Sequence, residues 1–145
     1  MQILTEFSFH RIAGVPIPQE PGRVYRKVGC GPHRDVILLD MRSYRGPNAD
    51  NREEATGPGS AILGPAQLAW LKGALAASTA TWKIIAADQP LGLIVFDDFV
   101  ARKGSEAIGQ GDGPPLGREL EIADLLALLR RNRIRNTVWV TADVH

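Results

Sequence analysis

Asp143 and His145 are the residues whose types and spacing most directly suggest chemistry. They close the segment TVWVTADVH, residues 137–145, after an apolar run of β-forming residues. Alternate side chains of an extended chain point to the same side, so both can face one site. A carboxylate and an imidazole together suit a divalent or trivalent metal ion. A strand end also often carries an aspartate as a turn or cap residue, so the spacing alone leaves both a metal site and a structural aspartate open.

Other polar residues follow predicted strands in the same way. Asp40 ends one apolar run and Arg42 follows it, while Asp88 and Gln89 come after the next run. The planar guanidinium group of arginine matches two phosphate oxygens at once, so Asp40, Arg42 and Arg45 could together hold a phosphate. The alternative for Asp40 and Arg42 is an ordinary ion pair within a loop.

Strands and helices alternate along the part of the chain that must position these residues. Continuous apolar runs predict buried strands at 35–40, 81–87 and 136–142, and an alternating pattern predicts a half-exposed strand at 23–29. Three tryptophans fall on these elements, and we expect all of them to be core packing residues: Trp70, Trp82 and Trp139.

Two amphipathic helices are predicted between the strands. One runs from Gly64 to about Ala77, with Pro65 in its first turn, and the other occupies residues 118–133. We expect Arg118 and Glu119 to be surface groups of the second helix's first turn. Residues 88–117 are predicted to be a long loop with a short strand at 93–96, and residues 1–22 to be irregular.

The resulting order, β-α-β-α-β after residue 35, predicts an α/β fold with a largely parallel sheet and helices on its face. Ligands of such sheets gather outside the carboxyl ends of the strands. Asp40 with Arg42, Asp88 with Gln89, and Asp143 with His145 should therefore open on one edge of the sheet.

Composition narrows the functional classes. The chain has 145 residues, a length typical of one domain, and its 17 basic and 16 acidic side chains give a net charge of +1. This balance indicates neither a nucleic-acid nor a membrane partner, and the basic RRNRIR segment at 130–135 suits a helix carboxyl terminus. One cysteine, Cys30, excludes an intrachain disulfide. The amino terminus lacks a signal-peptide pattern, so the chain as written is expected to be cytoplasmic.

Ordered motifs give the chain a specific resemblance. With LLDMRSYRG, ILGPAQLAWLKGAL, ATWKIIAADQPL and DGPPLGRELEIADLL preceding ADVH, it resembles the PhoD-like alkaline phosphatases, relatives of the purple acid phosphatases among the calcineurin-like metallophosphoesterases. The resemblance implies a β-sandwich of mixed sheets flanked by helices. It also implies hydrolysis of small-molecule phosphate monoesters or diesters with metal ions, iron and calcium in the family. Members of the family are often exported.

The resemblance also assigns residues. The family's GDVH corresponds here to ADVH, with Ala142 in place of glycine, so Asp143 and His145 occupy metal-ligand positions and are implied to be catalytic, with Arg42 as a phosphate contact. Gln89 stands where purple acid phosphatases place a ligand histidine. Gln89 and Asp40 are expected either to bind metal weakly or to hydrogen-bond to the ligands.

The sequence departs from the family's pattern at its start. The metallophosphoesterase pattern begins with an Asp-bearing strand, a second GD turn and an Asn- or Asp-His motif, and none of these is present. We therefore expect residues 1–145 to be a partial metallophosphatase domain, with its strand and helix core at 23–145, and to bind metal weakly. Two hypotheses stay open: a phosphoric ester hydrolase that is incomplete as an isolated chain, or a non-catalytic remnant or interaction module of that fold.

Overall fold

The computed structural model describes residues 23–142, whose core is a mixed sheet with two α-helices. The prediction that residues 1–22 are irregular lies outside the described residues, as do Asp143 and His145. The elements, in chain order, are β1 Arg26–Cys30, β2 Arg34–Leu38, α1 Gly64–Ala77, β3 Trp82–Ala87, α2 Glu119–Arg131 and β4 Thr137–Thr141, with a 3-10 turn at Pro58–Ser60 before α1.

The sheet has the predicted parallel core. Its strand order is β1-β2-β3-β4, with β1 antiparallel to β2, and with β2, β3 and β4 mutually parallel. Val36 pairs with Ile84, which pairs in turn with Val138. A tight turn at 31–33 joins β1 to β2 and makes the two strands antiparallel. The chain reaches β3 and β4 through crossover helices, so each of these strands is parallel to the strand before it. The predicted β-α-β-α-β order is confirmed.

Both helices pack on one face of the sheet. The core cluster combines Ile37 of β2 and Ile85 of β3 with leucines of both helices, including Leu71 and Leu125, which are fully buried. These side chains fall at the spacing that the sequence predicts for an apolar helix stripe. The helices therefore hold the strands in register from one side.

A carboxylate from α2 caps the start of α1. Oε2 of Glu121, which is buried, accepts hydrogen bonds from the backbone N–H groups of Ile62, Leu63 and Gly64 at 3.1, 2.7 and 3.3 Å. The first N–H groups of a helix have no partner within the helix, and its positive dipole end favours an anion. Gly64 has φ +74°, a conformation that glycine adopts without strain, and this lets the chain enter the helix there.

The opposite face of the sheet is apolar and more open. Val36, Ile84 and Val138 point there, and the helix-packed core cluster includes none of them. Trp82, Val138 and Val140 are 47%, 40% and 52% exposed. The expectation that Trp82 is a core packing residue is wrong, because it is the first residue of β3 and lies on this second face. Trp70 and Trp139, in contrast, pack against the core.

The long loop lies where it was predicted, between Ala87 and Glu119, but it is less regular than predicted. No strand forms at 93–96; the ladder contact in this part of the described chain is a single bridge between Asp98 and Lys103. The apolar run at 93–96 instead supplies loop contacts, with the backbone carbonyl of Leu93 accepting bonds from Ile108 and Gly109. A short apolar run does not by itself distinguish a strand from a packed loop.

Candidate functional site

A cleft lies where the predicted site residues were expected, at the carboxyl ends of β2 and β3. It has a volume of about 340 Å³, and its polar lining comprises Arg26, Asp40, Arg42, Ser43 and Asp88. The parallel arrangement explains this grouping, because β2 ends at Leu38 and β3 at Ala87, beside each other. The prediction that Asp40, Arg42 and Asp88 share one edge of the sheet is confirmed.

The turn at residues 40–43 is held by side chains that use all four of its backbone N–H groups. Asp40 N–H donates to Oε1 of Gln67 at 2.8 Å, and Met41 N–H donates to Oδ2 of Asp88 at 2.8 Å. Arg42 and Ser43 N–H groups both donate to Oδ1 of Asp40, at 3.1 and 2.8 Å. The four N–H groups of this turn are therefore not available to an anion in the cleft.

The side chain of Gln67 in α1 holds the turn at residues 40–43 through hydrogen bonds to Asp40. Its amide oxygen accepts from Asp40 N–H, and its Nε2 donates to the carbonyl oxygens of Asp40 and Leu63 at 2.8 and 3.0 Å. The side chain is fully buried. Gln67 pairs with both backbone groups of Asp40 much as a neighbouring strand would, and so extends the order of β2 into the turn.

Arg42 and Arg45 have different surroundings. Arg42 is exposed, and its side chain makes no ion pair within residues 23–142, so the alternative of an Asp40–Arg42 ion pair is wrong. Arg45 donates to Oδ1 of Asn48 at 2.7 Å and to the carbonyl oxygen of Ser105 at 3.1 Å. Arg45 therefore holds loops together, away from the cleft, and Arg42 keeps its guanidinium group available.

The described residues do not by themselves fit a complete metal site. Within residues 23–142, no group of three or more His, Cys, Asp or Glu side chains could share an ion. Asp40 is buried, and its Oδ2 has no hydrogen-bond partner in this part of the chain. Gln89 is half-buried, follows Asp88, and makes no side-chain hydrogen bond among the described residues. Oδ2 of Asp40 is therefore a buried acceptor without a donor among the described residues.

Arg118 is buried, although the sequence predicted an exposed side chain. The prediction of a surface group fails, because Arg118 is 1% exposed and donates to the carbonyl oxygens of Ser105 and Ala107 at 2.6 and 3.1 Å. Burial lowers the pKa of its guanidinium group. Asn51 accepts from Arg118 N–H at 2.7 Å. Arg118 and Asn51 thus connect loops that are distant in sequence. No sequence motif around either residue predicts these contacts.

Comparison with known proteins agrees with this architecture. The model of the PhoD-like phosphatase family matches residues 10–145. Alkaline phosphatase D of Bacillus subtilis (strain 168) is 27% identical over 136 residues, which cover 89% of this chain and 22% of that protein. A solved structure described as the structure of PhoD aligns with a TM-score of 0.61 at 22% identity, covering 93% of this chain and 26% of that one. The chain thus spans about a quarter of the length of each relative, and the structural likeness shows a shared fold.

Proposed function

Because the chain belongs to the PhoD-like phosphatase family, we propose that it contributes one edge of a metal-dependent site that hydrolyses phosphoric esters. The family is one of metal-dependent phosphatases. The observation that carries the proposal is the cleft at the carboxyl ends of β2 and β3, in which an exposed arginine stands on a rigid turn. A site at that position is where ligands of parallel sheets bind.

Each candidate residue has a role in this proposal. Arg42 contacts the phosphoryl group through its guanidinium fork. Asp143 and His145, which follow β4 at Thr141, hold metal, and together with Arg42 they form the catalytic set. Asp40, with its unused Oδ2, accepts a hydrogen bond from a ligand at this edge, and Gln89 supplies an amide oxygen as a hydrogen-bond acceptor or weak ligand.

The metal ions, iron and calcium in the family resemblance, would supply the positive charge that activates water and stabilises the leaving oxygen. The substrate is a small-molecule phosphate monoester or diester, with neither nucleic-acid specificity nor a membrane partner. No helix within residues 23–142 is long and apolar enough to cross a membrane.

The isolated chain should be inactive on these esters. Catalytic metal sites use three or more protein ligands, whereas Asp143 and His145 give two and Gln89 adds at best a neutral oxygen. The test is hydrolysis of p-nitrophenyl phosphate and its bis-ester, with iron, zinc, manganese or calcium present. We expect no turnover above buffer with metal. Each 1.4 kcal/mol of lost transition-state stabilisation lowers the rate about tenfold. Without most of the metal charge, the transition state loses several such steps, and the rate falls below detection.

Co-expression with a polypeptide carrying the remainder of a relative's sequence should restore turnover. In that assembly, Asp143→Ala and His145→Ala should abolish the rate, while Cys30→Ser, at an exposed thiol on β1, should leave it nearly unchanged. Metal-dependent turnover by the lone chain would contradict the two-ligand reasoning. A restored rate that survives both substitutions would contradict the assignment of Asp143 and His145.

A non-catalytic interaction module is the second candidate. The exposed apolar face around Val138 and Val140 favours it, because such a face is suited to packing against another polypeptide. An assembly that forms with the complementary polypeptide, yet hydrolyses neither ester under any of the metal conditions, would support this function over the hydrolase.

A further inference from the structure

We propose that β4 is a dimerisation strand, whose outer edge pairs antiparallel with β4 of a second copy of this chain. The two four-stranded sheets would join into one continuous sheet about a two-fold axis at Trp139. The pairing concerns an edge of the sheet and not the cleft, so it does not depend on the proposed hydrolase activity.

The outer edge of β4 carries backbone groups that pair with no other strand within residues 23–142. β4 is the last strand in the order β1-β2-β3-β4. Lys83 N–H donates to the carbonyl oxygen of Asn136, so Asn136 directs its backbone groups towards β3. This direction alternates from residue to residue along a strand. The N–H and C=O groups that point away from β3 are therefore those of Thr137, Trp139 and Thr141.

The sequence of β4 is a palindrome, Thr-Val-Trp-Val-Thr. An antiparallel pair centred on Trp139 places Thr137 opposite Thr141 of the second copy, and Val138 opposite Val140. A two-fold axis brings one surface against itself, so that surface must be complementary to itself. The palindrome suits this arrangement, because every cross-strand pair then joins residues of the same type, and β-branched and aromatic pairs stabilise sheets.

Charge and exposure distinguish β4 from the strand at the other edge of the sheet. β4 has no charged residue, and its Val138 and Val140 are 40% and 52% exposed. β1, in contrast, carries Arg26 and Lys27, and charged side chains on an edge strand discourage pairing with another chain. An uncharged edge of β-branched residues is a template for a further strand, so β4 is the edge that we expect to pair.

The outer flank of α2 is compatible with the same axis. Leu126 is 48% exposed and follows Asp124, the ion-pair partner of Lys72 in α1, by two residues, about 200° around the helix. Leu126 therefore lies on the flank away from α1, which is the β4 side. The axis would set the two α2 helices antiparallel along this flank. Glu119 at the start of one helix would then approach Arg130 at the end of the other, with opposite charge.

The dimer would leave both clefts open. Antiparallel pairing of β4 directs the carboxyl ends of the parallel strands of the two copies to opposite edges of the joined sheet. Asp40 and Arg42 of one copy would thus lie far from those of the other, and neither copy would add a metal ligand to the other's site. The isolated chain is therefore expected to dimerise and still to hydrolyse no ester.

Sedimentation equilibrium of the full chain over a range of concentrations tests the dimer. We expect the mass to rise with concentration from 15.8 kDa towards twice that value. Thr141→Pro removes an outward N–H group and keeps the ladder to β3, because an edge strand accepts proline at such a position. It should weaken self-association roughly tenfold or more, since the two-fold axis removes the hydrogen bond twice. Thr141→Val, which keeps the N–H group, is the matched control and should dimerise like the parent.

Crosslinking tests the register, in a Cys30→Ser background that removes the exposed thiol. Val138 and Val140 of the second copy would face each other at a non-hydrogen-bonded site, where Cα atoms lie about 4.5 Å apart. This distance suits a disulfide, so Val138→Cys combined with Val140→Cys should give a covalent dimer on oxidation. Val138→Cys alone is the control. Its two copies would lie about 8 Å apart, beyond disulfide reach, and should stay uncrosslinked.

A parent chain that keeps a mass of 15.8 kDa up to its solubility limit overturns the dimer, and so does a mass that grows beyond two copies. Parental self-association by a folded Thr141→Pro variant overturns the role of the β4 edge. Should that variant fail to fold, Val138→Lys with Val140→Lys takes its place. Its control is Phe99→Lys with Val100→Lys, the same change on an exposed loop, and equal self-association by the two variants would likewise contradict pairing through β4.

Discussion

Replacing Gln67 by methionine tests how the turn that presents Arg42 is held. Methionine has nearly the shape and helix propensity of glutamine, so α1 and the packing around it should persist. What disappears is the pair of hydrogen bonds to Asp40, both 2.8 Å long, and the 3.0 Å bond to the Leu63 carbonyl oxygen.

The expected cost follows from burial. Gln67 is fully buried, so water cannot readily replace its amide, and the N–H and C=O groups of Asp40 both lose their partner. A buried polar group without a partner costs about 1–3 kcal/mol, which gives about 3 kcal/mol for the two groups after partial relaxation. For a chain of this size, that corresponds to a decrease in Tm of roughly 6–12 °C.

Thermal and urea unfolding of the Gln67→Met variant measure this loss of stability, with Gln89→Met as the control. The control makes the same chemical change at a half-buried residue whose side chain makes no hydrogen bond within residues 23–142. Gln89→Met should change Tm by less than about 2 °C, as most surface substitutions do. A Gln67→Met variant with the Tm of the control would refute the claim that the amide clamps Asp40. Loss of phosphate affinity at temperatures where the variant is folded would show that the clamp also positions Arg42.

Three further outcomes are expected. Calorimetric titration of the isolated chain with iron, zinc, manganese and calcium should show weak, poorly selective binding, and a sub-micromolar affinity that His145→Ala removes would contradict the two-ligand picture. Burial alone would raise the pKa of Asp35, but the hydrogen bond from Ser78 at 2.6 Å and the ion pair with Lys27 at 3.2 Å lower it below its ordinary value. The resulting stabilisation is present above the unfolded-state pKa, about 3.9, and is lost as pH falls through the folded-state value. The difference in unfolding free energy between the parent and Asp35→Asn should therefore shrink in acid, and a difference that is constant from pH 7 to pH 2 would argue against the linkage. Arg118→Met should expose the loop at 88–117 and speed chymotryptic cleavage at Phe96 and Phe99, and cleavage at the parental rate would show that Arg118 does not hold this loop.

Local sequence pattern predicted the two helices, the four strands and their order, although it also predicted a strand at 93–96 that does not form. Apolar residues at helical spacing predicted α1 and α2, because a helix buries one stripe whatever it packs against. The apolar runs predicted β2, β3 and β4, because both faces of these strands carry apolar side chains, although only one face is packed by helices among the described residues. The edge at which Asp40, Arg42 and Asp88 meet followed from the same order, because parallel strands joined by crossovers all end on one side.

Tertiary structure decided which polar side chains are buried and what they hold. Gln67 reaches Asp40 across 27 residues of sequence and Glu121 reaches Leu63 across 58, and no local period encodes either contact. By its position at the start of α2, Arg118 was expected to be exposed. Its burial is favourable because carbonyl oxygens of the preceding loop accept hydrogen bonds from its guanidinium group. Arg26 lies at the cleft because β1 pairs antiparallel with β2. The alternating polar and apolar residues of β1 predict a strand but do not specify which strand it pairs with. Hydrophobic periodicity depends on a residue's immediate neighbours, whereas a buried hydrogen bond depends on groups that only the folded chain brings together.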